Sequence, residues 1–312
     1  MFIDLNINLP GAFTKASVKP KPSDIDALKK IILMAKDLGY RIIALNHTID
    51  SKPSPDHLNV WENIPEIEGV TTTWTNPQLS SSSAIVSGSD ILSSYAKNNQ
   101  HELIILRRLT IELTDNTQNF SLNSMASVLN PYDIIALRPT TEKLLQAVCS
   151  GTYQIADLIS LDLDSRLPFY IKMKTVMQGV ESGYSFEISY SGMINDTSVR
   201  RQWISNTSSL VRATRGRGLV ISSGSSAAFD LRPPYDLTNL GTITGMNPSL
   251  SKCCLSTGPR AVICHAVTRR FTLKSVIGIG VAAKEAKSND STKRNEATTA
   301  TRPQKKRKAN DQ

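Results

Sequence analysis

Apolar positions along this chain follow two rhythms. Short apolar runs alternate with segments in which apolar residues recur every three or four positions, the signatures of buried strands and amphipathic helices. Residues 2–7 (FIDLNI) read as a strand. Ser23 or Asp24 caps a helix in which Ile25, Leu28, Ile32, Ala35 and Leu38 share a face, and Gly39 closes it. Residues 41–45 (RIIAL), 103–113, 132–137 (YDIIAL), 157–163 (DLISLDL), 186–190 and 219–222 predict further strands. Residues 140–149, 174–183 and 196–215 predict helices, 239–246 a last strand, and 249–269 a largely helical end. This makes about eight strand–helix repeats, and such alternation argues for a parallel sheet, because each return needs a crossover helix. The count suits a TIM-barrel-like (β/α) barrel, regular or distorted. A doubly wound open sheet is the alternative, but there is no GxGxxG after the first strand and no GxxxxGK[ST], which weakens its nucleotide-binding versions.

Two stretches break the rhythm. Residues 69–99 are rich in Ser, Thr and Asn and predict a long, partly mobile insertion. After residue 283 the chain turns polar and is too poor in apolar residues to fold alone. The expected organisation is a folded domain over residues 1–275 and a disordered basic tail over 276–312. In the tail, Lys293 and Arg294 precede a second basic cluster, Lys305, Lys306, Arg307 and Lys308. The spacing suggests a bipartite nuclear import signal; a solubilising or RNA-grazing tail is the plainer alternative.

Charge sharpens the picture. The chain has 312 residues and a formal net charge of +9, which favours a polyanionic partner. The last 29 residues hold nine Lys/Arg and four Asp/Glu, so the remainder is only mildly basic and must meet any RNA through local patches. Cys149, Cys253, Cys254 and Cys264 form no CxxC pair and read as buried thiols in a reducing compartment. No apolar run of about 18 residues occurs, so no membrane span is expected. Acidic Asp4 stands where a secretory leader would be basic and then apolar.

The stretch VRATRGRGLVISSG, residues 211–224, concentrates the candidate chemistry. On the preceding helix Val199, Trp203, Thr207, Leu210 and Thr214 share one side, edged by Ile204 and Val211. Arg201, Ser205, Ser208, Arg212 and Arg215 line the other. Gly216 is placed to end the helix in the left-handed conformation, and cations suit a helix C-terminus. Yet four arginines, with Arg217, gather on one edge without an acid, and guanidinium forks match phosphate oxygens. A solvated helix face and an RNA contact both remain open. A phosphate loop is disfavoured, because these glycines follow a helix instead of opening one.

Strand ends form the functional face of a barrel. Here they carry Asn46 and His47, Arg138, Asp162 and Asp164, Tyr190 and Ser191, and Ser222 to Gly224. Asp162 and Asp164 share a strand face and could hold a metal or move protons, or simply cap a turn or pair with Arg166. His47, His57, His101 and His265 form no ligand spacing; His47 at a strand end is the one site candidate among them, and His265 in AVICHAV reads as packed. There is no GxSxG.

Taken in order, ALNHTID (44–50), RRLTIEL (107–113), YDIIALRPTTEKLLQAVC (132–149), DLISLDLDSRLPFYIK (157–172), FEISYS (186–191), RRQWISN (200–206), RATRGRGLVISSG (212–224), LRPPYDLTNLG (231–241) and PRAVICHAVTRR (259–270) resemble the 30-kDa protein subunit of ribonuclease P and ribonuclease MRP. The resemblance covers nearly all of residues 1–275. It implies a TIM-barrel-like fold related to PHP metallo-phosphoesterases. It implies no chemistry in the protein: the complex's RNA, with magnesium, removes the 5′ leader from precursor tRNA, and the MRP complex serves pre-rRNA processing. It further implies a small protein partner, contact with the catalytic RNA, and a nuclear, often nucleolar, location. PHP enzymes open with an HxH metal pair; Asp4 and Asn6 stand in the comparable strand here.

The leading expectation is thus a non-catalytic ribonucleoprotein subunit with no cofactor of its own. Its candidate RNA contacts are Arg107, Arg108, Arg138, Lys172, Lys174, Arg201, Arg212, Arg215, Arg217, Arg260, Arg269 and Arg270. The rivals are a metal-dependent phosphoesterase built around Asp4, Asn6, His47 and Asp162, and a protein scaffold without direct RNA contact.

Overall fold

The structure is a computed structural model, and it describes residues 1–11, 13, 20–73, 102–114, 122–273 and 277–278. The expected insertion, apart from residues 69–73, and the tail with its nuclear import signal, apart from residues 277–278, lie outside the described residues.

The chain opens with β1 (Phe2–Asn8), α1 (Pro22–Asp37) and β2 (Tyr40–Ile49). A short strand, β3 (Val70–Thr72), precedes the long β4 (Leu103–Leu113). Strand–helix units follow: β5 (Ile134–Pro139) with α2 (Glu142–Cys149), β6 (Leu158–Ser160) with α3 (Met173–Glu181), and β7 (Ser185–Ser189) with α4 (Thr197–Thr214). Then come β8 (Leu219–Ser222), α5 (Pro234–Ile243), α6 (Pro248–Leu255) and α7 (Thr257–Phe271).

All strands from β1 to β8 pair in parallel, in the order β1-β2-β4-β5-β6-β7-β8, with β3 also on β4. The circuit nearly closes. Just past β8, Ser225 bridges back to Ile7, Asn8 N–H donates to the Ser225 carbonyl (2.8 Å), and Gly224 N–H donates to the Asn6 carbonyl (2.7 Å). The expected TIM-barrel-like fold is therefore present, closed by seven strands and not eight. Residues 239–246 are not the last strand. Pro234 starts a helix there, as proline does at a first turn. Gly241 lets α5 lie directly on α6, since a Cβ at that position would stand 2.1 Å from Ser251 Oγ.

The core has two parts. Leu28, Ile32, Leu145, Val176, Trp203 and Leu210 pack on the outward residues of the strands. Inside the barrel, Ile3, Leu5, Ile42, Ala44, Ile104, Leu106, Ile134, Ala136, Leu158 and Val220 form an apolar floor, and Val262, Ile263, Ala266 and Val267 of α7 plug it from below. Alternation along each strand puts these residues on one face.

Cys149 and Cys254 are buried thiols as expected, whereas Cys253 is exposed. Among the described residues no helix is long and apolar enough to cross a membrane.

Candidate functional site

Above the apolar floor the same alternation brings polar side chains inward: Asn46 on β2, Arg108 and Thr110 on β4, Ser160 on β6, Glu187 on β7 and Ser222 on β8, all buried. A register shift between Asp4 and Ile7 turns Asn6 inward as well. At the centre, the Arg108 guanidinium grips Glu187 with both Nη atoms, Nη2 to Oε2 at 2.6 Å. Arg108 Nη1 also donates to the Leu5 carbonyl (2.7 Å), and Nε donates to Thr110 Oγ1 (3.2 Å). Ser222 Oγ and Asn6 Nδ2 also donate to the carboxylate, at 2.7 and 3.3 Å. Asn46 Nδ2 donates to Asn6 Oδ1, while Thr110 Oγ1 donates to Asn46 Oδ1. Burial alone would raise the Glu187 carboxyl, but the Arg108 charge and the hydroxyls of Ser160 and Ser222 outweigh it and hold it below its ordinary value.

This corrects one expected RNA contact. Arg108 is 0 % exposed and serves the barrel interior; no phosphate reaches it. It also dismantles the constellation imagined for a metal-dependent phosphoesterase. A guanidinium fills the space where a cation would have to sit, so the residues present do not fit a metal cluster. Among the described residues no group of three or more His, Cys, Asp or Glu is arranged to hold a metal ion. Asp4, flanked by the inward Ile3 and Leu5, faces the other way and accepts from the N–H groups of Asn6 (3.1 Å) and Ser223 (3.0 Å). His47 lies on the outer side of β2, buried against His57 at 3.5 Å; burial and that second ring lower its pKa to about 4. Asp162 caps the following turn through Asp164 N–H and Ser165 Oγ.

Asp4 yields a testable consequence. Burial pushes its carboxyl up to about 6 from 3.8, and Oδ2 is buried without a partner. A carboxyl whose folded pKa is raised binds its proton more tightly in the folded state, so stability falls as pH rises through the window from about 4 to 6. We expect the urea midpoint of the wild type to drop across that window by the equivalent of about 3 kcal/mol, at about 1.36 kcal/mol per pKa unit. Asp4→Asn should remove that dependence, and equal slopes in the two proteins would refute it.

Two more expected contacts are engaged within the fold. Asp157, at the foot of β6, accepts from Arg269 Nε and Nη2 (3.0 and 2.9 Å), His265 Nδ1 (2.9 Å) and Ile135 N–H (3.0 Å). Asp133, at the foot of β5, is ion-paired with Arg270 and accepts from Thr73 Oγ1 (2.6 Å) and Arg107 N–H (2.8 Å). Arg269 and Arg270 thus latch α7 under the barrel, a structural role within the fold. Arg107 is half-buried beside Trp61 in a surface cavity of about 640 Å³. Arg138 is half-buried at the mouth, where its charge opposes the rise that burial and Asp162 impose on Asp164.

The other candidates face solvent. Lys172 is exposed and pairs with Glu142 at 2.6 Å; Lys174 and Arg260 are exposed. Along α4 Trp203, Thr207, Leu210, Val211 and Thr214 of the expected inner face are buried, Val199 and Ile204 are half-buried, and Trp203 Nε1 anchors the face by donating to the Ser189 carbonyl (2.6 Å). Its outer face carries Arg201, Arg212 and Arg215, with Arg217 just beyond, all exposed. None of the four takes part in an ion pair among the described residues. From Arg201 to Arg215 this edge runs about 21 Å, at about 1.5 Å per residue. The helix ends one residue earlier than expected: Arg215 itself is left-handed, followed by Gly216. Sequence reasoning passed over Tyr170, which is 88 % exposed between a buried Phe169 and Lys172. Its signal was the aromatic–basic alternation of FYIKMK.

The family model described as RNase P subunit p30 matches residues 1–271. The chain is 34 % identical over 248 residues to the mouse ribonuclease P protein subunit p30, covering 80 % of this chain and 84 % of that one. It is 31 % identical to a probable ribonuclease P protein subunit 3 of Schizosaccharomyces pombe, over 89 % of this chain and 98 % of that one. The ribonuclease P/MRP protein subunit RPP1 of Saccharomyces cerevisiae is 27 % identical over 90 % and 85 % of the two chains. Among solved structures, a chain of an archaeal ribonuclease P with mature tRNA shares the fold, with a TM-score of 0.56 at 15 % identity, covering 90 % of this chain and 99 % of that one. A barrel with an ion pair at its centre and an arginine-lined flank, matched over residues 1–271 by the family model, belongs to the RNase P subunit p30 family.

Proposed function

We propose that this chain is a protein subunit of ribonuclease P that performs no chemistry itself and grips the complex's RNA through its basic flank. The observation that carries the reading is the edge of α4 and its following turn: four exposed arginines, hydroxyls between them, and no carboxylate in pairing reach among the described residues. Like charges held this close repel, and a polyanion relieves that repulsion while accepting guanidinium forks. Lys174 and Arg260 are further exposed cations, and Tyr170 offers a flat face on which an unpaired base can stack. In this reading magnesium belongs to the catalytic RNA, precursor tRNA is met within the complex, and a small protein subunit docks beside the RNA. Membership of the ribonuclease MRP particle and a nuclear, nucleolar location complete the proposal, with residues 293–308 as the import signal.

The test is salt dependence. The full chain bound to transcribed ribonuclease P RNA should show a log–log slope to which each phosphate contact adds about 0.7–0.9. Arg212→Ala together with Arg217→Ala should flatten it by about one to two units and leave the melting temperature in place. An unchanged slope removes these residues from the interface. Absence of crosslinks from the assembled RNA to this chain favours the pure scaffold.

A further inference from the structure

The turn after α4 has a backbone that its sequence should avoid. Arg215 has φ 52 and ψ 32, and it is the one non-glycine residue with positive φ among the described residues. In that conformation Cβ crowds the following carbonyl, a cost that glycine escapes, which is why helices commonly end on glycine at this position. The residues around it explain why the turn cannot relax. Gly216 and Gly218 also have positive φ, 72 and 59. A Cβ on Gly216 would come within 2.7 Å of Leu250 in α6. A Cβ on Gly218 would lie 3.1 Å from Val180 in α3 and 3.3 Å from the Tyr184 carbonyl. The turn is thus seated on two helices, and the N–H groups of Arg215, Gly216 and Arg217 are taken by the carbonyls of Arg212, Val211 and Thr214.

In this loop, positive φ and close packing favour glycine at 216 and 218, and the positions left for side chains, 215 and 217, are both arginine. The fold does not use them. Both are exposed, and neither enters an ion pair among the described residues. Arg212 Nε is tied to the Ser208 carbonyl at 3.2 Å, leaving its Nη atoms for outside. Local strain that the surroundings enforce, with no benefit inside the fold, points to a functional position. The chemistry of the ligand follows from the neighbourhood. None of the large exposed apolar side chains, among them Tyr170, Phe229, Tyr235 and Ile243, lies between residues 201 and 217, whereas the centre of a protein interface is apolar and poor in charge. A phosphate backbone suits this edge better than a protein surface.

We infer that Arg215 is the phosphate anchor of the RNA grip, held by a strained, closely packed turn that presents its guanidinium near those of Arg212 and Arg217. This rests on the proposed function and assigns its central contact.

Arg215→Gly separates the two roles, because it relieves the backbone strain and deletes the guanidinium in one step. The full chain, Arg215→Gly and Arg215→Lys are melted, then titrated with transcribed ribonuclease P RNA across a range of salt. Arg215→Gly should melt at the wild-type temperature or a few degrees higher. Its RNA affinity at about 0.1 M salt should fall about sixfold, with the slope lower by about 0.7–0.9. Arg215→Lys should keep the slope and only part of the affinity, since the ammonium lacks the fork. Wild-type affinity and slope in Arg215→Gly, or a melting temperature several degrees below wild type, overturns the inference and leaves the proposed function standing. Unaltered RNA binding with loss of the protein partner also overturns it, in favour of an acidic protein surface. A wild-type chain that shows no salt-dependent RNA binding overturns the proposed function itself.

Discussion

Glu187→Ala is expected to cost about 3–5 kcal/mol of folding stability, the range for removing one partner of a buried ion pair. The Arg108 guanidinium would remain at the centre of the barrel, 0 % exposed, with no route to solvent. Ser222 Oγ and Asn6 Nδ2 would each lose the Glu187 oxygen they donate to. Each buried donor left without a partner adds about 1–3 kcal/mol, so the upper part of the range is the better expectation. The double variant Arg108→Met with Glu187→Leu should recover much of the loss, because apolar replacement of a whole buried pair is often neutral. Urea unfolding at constant slope measures both. A single variant within about 1 kcal/mol of wild type would mean that the pair is not sealed from water. The pH dependence has its own sign. Because the folded Glu187 is held below its ordinary 4.5, its stabilisation is complete above that value and lost as pH falls through the folded value. Asp4 does the opposite between about 4 and 6, so the two carboxyls are distinguishable in one titration.

The second large effect is expected at Asp157. Asp157→Ala should cost about 3–5 kcal/mol, since the Arg269 side chain, only 7 % exposed, would lose both ends of its bidentate carboxylate partner. The consequence should be local before it is global. The carboxylate joins the N–H of Ile135 in β5 to His265 and Arg269 in α7, so its loss frees the plug of Val262, Ile263, Ala266 and Val267 and wets the apolar floor it covers. Amide hydrogen exchange in residues 257–271 should accelerate ahead of the strands. Uniform acceleration across the molecule would show instead that α7 and the barrel unfold as one unit. Asp157→Asn should be milder, because an amide keeps an acceptor for one donor and leaves the others short.

Much of the architecture could be read from the residues. The strand over 103–113 and the strand over 219–222 coincide with β4 and β8, because a predominantly apolar, β-branched run bounded by turn residues describes a strand covered on both faces. The arginine-bearing side of α4 was legible for the same reason: a periodicity that places Trp203, Thr207 and Leu210 inside leaves Arg201 and Arg212 outside. Where local signals competed, the reading failed. Residues 239–246 have the β-branched composition of a strand, but Pro234 and the close seating of Gly241 on α6 make a helix.

What the sequence by itself determined is the order of strands and helices, the parallel barrel they close into, and the exposed edge of α4, because all three follow from periodicities of two and 3.6 residues along the chain. Only the tertiary structure decided what each charge does. Arg108 and Glu187 are 79 positions apart, Arg269 and Asp157 are 112 apart, and Arg270 and Asp133 are 137 apart, and no local pattern records such partners. An arginine on a strand and one on a helix look alike in a sequence. Closure of the barrel seals the first beside a carboxylate and leaves Arg215 facing water, because Coulomb pairing and desolvation depend on distance in space.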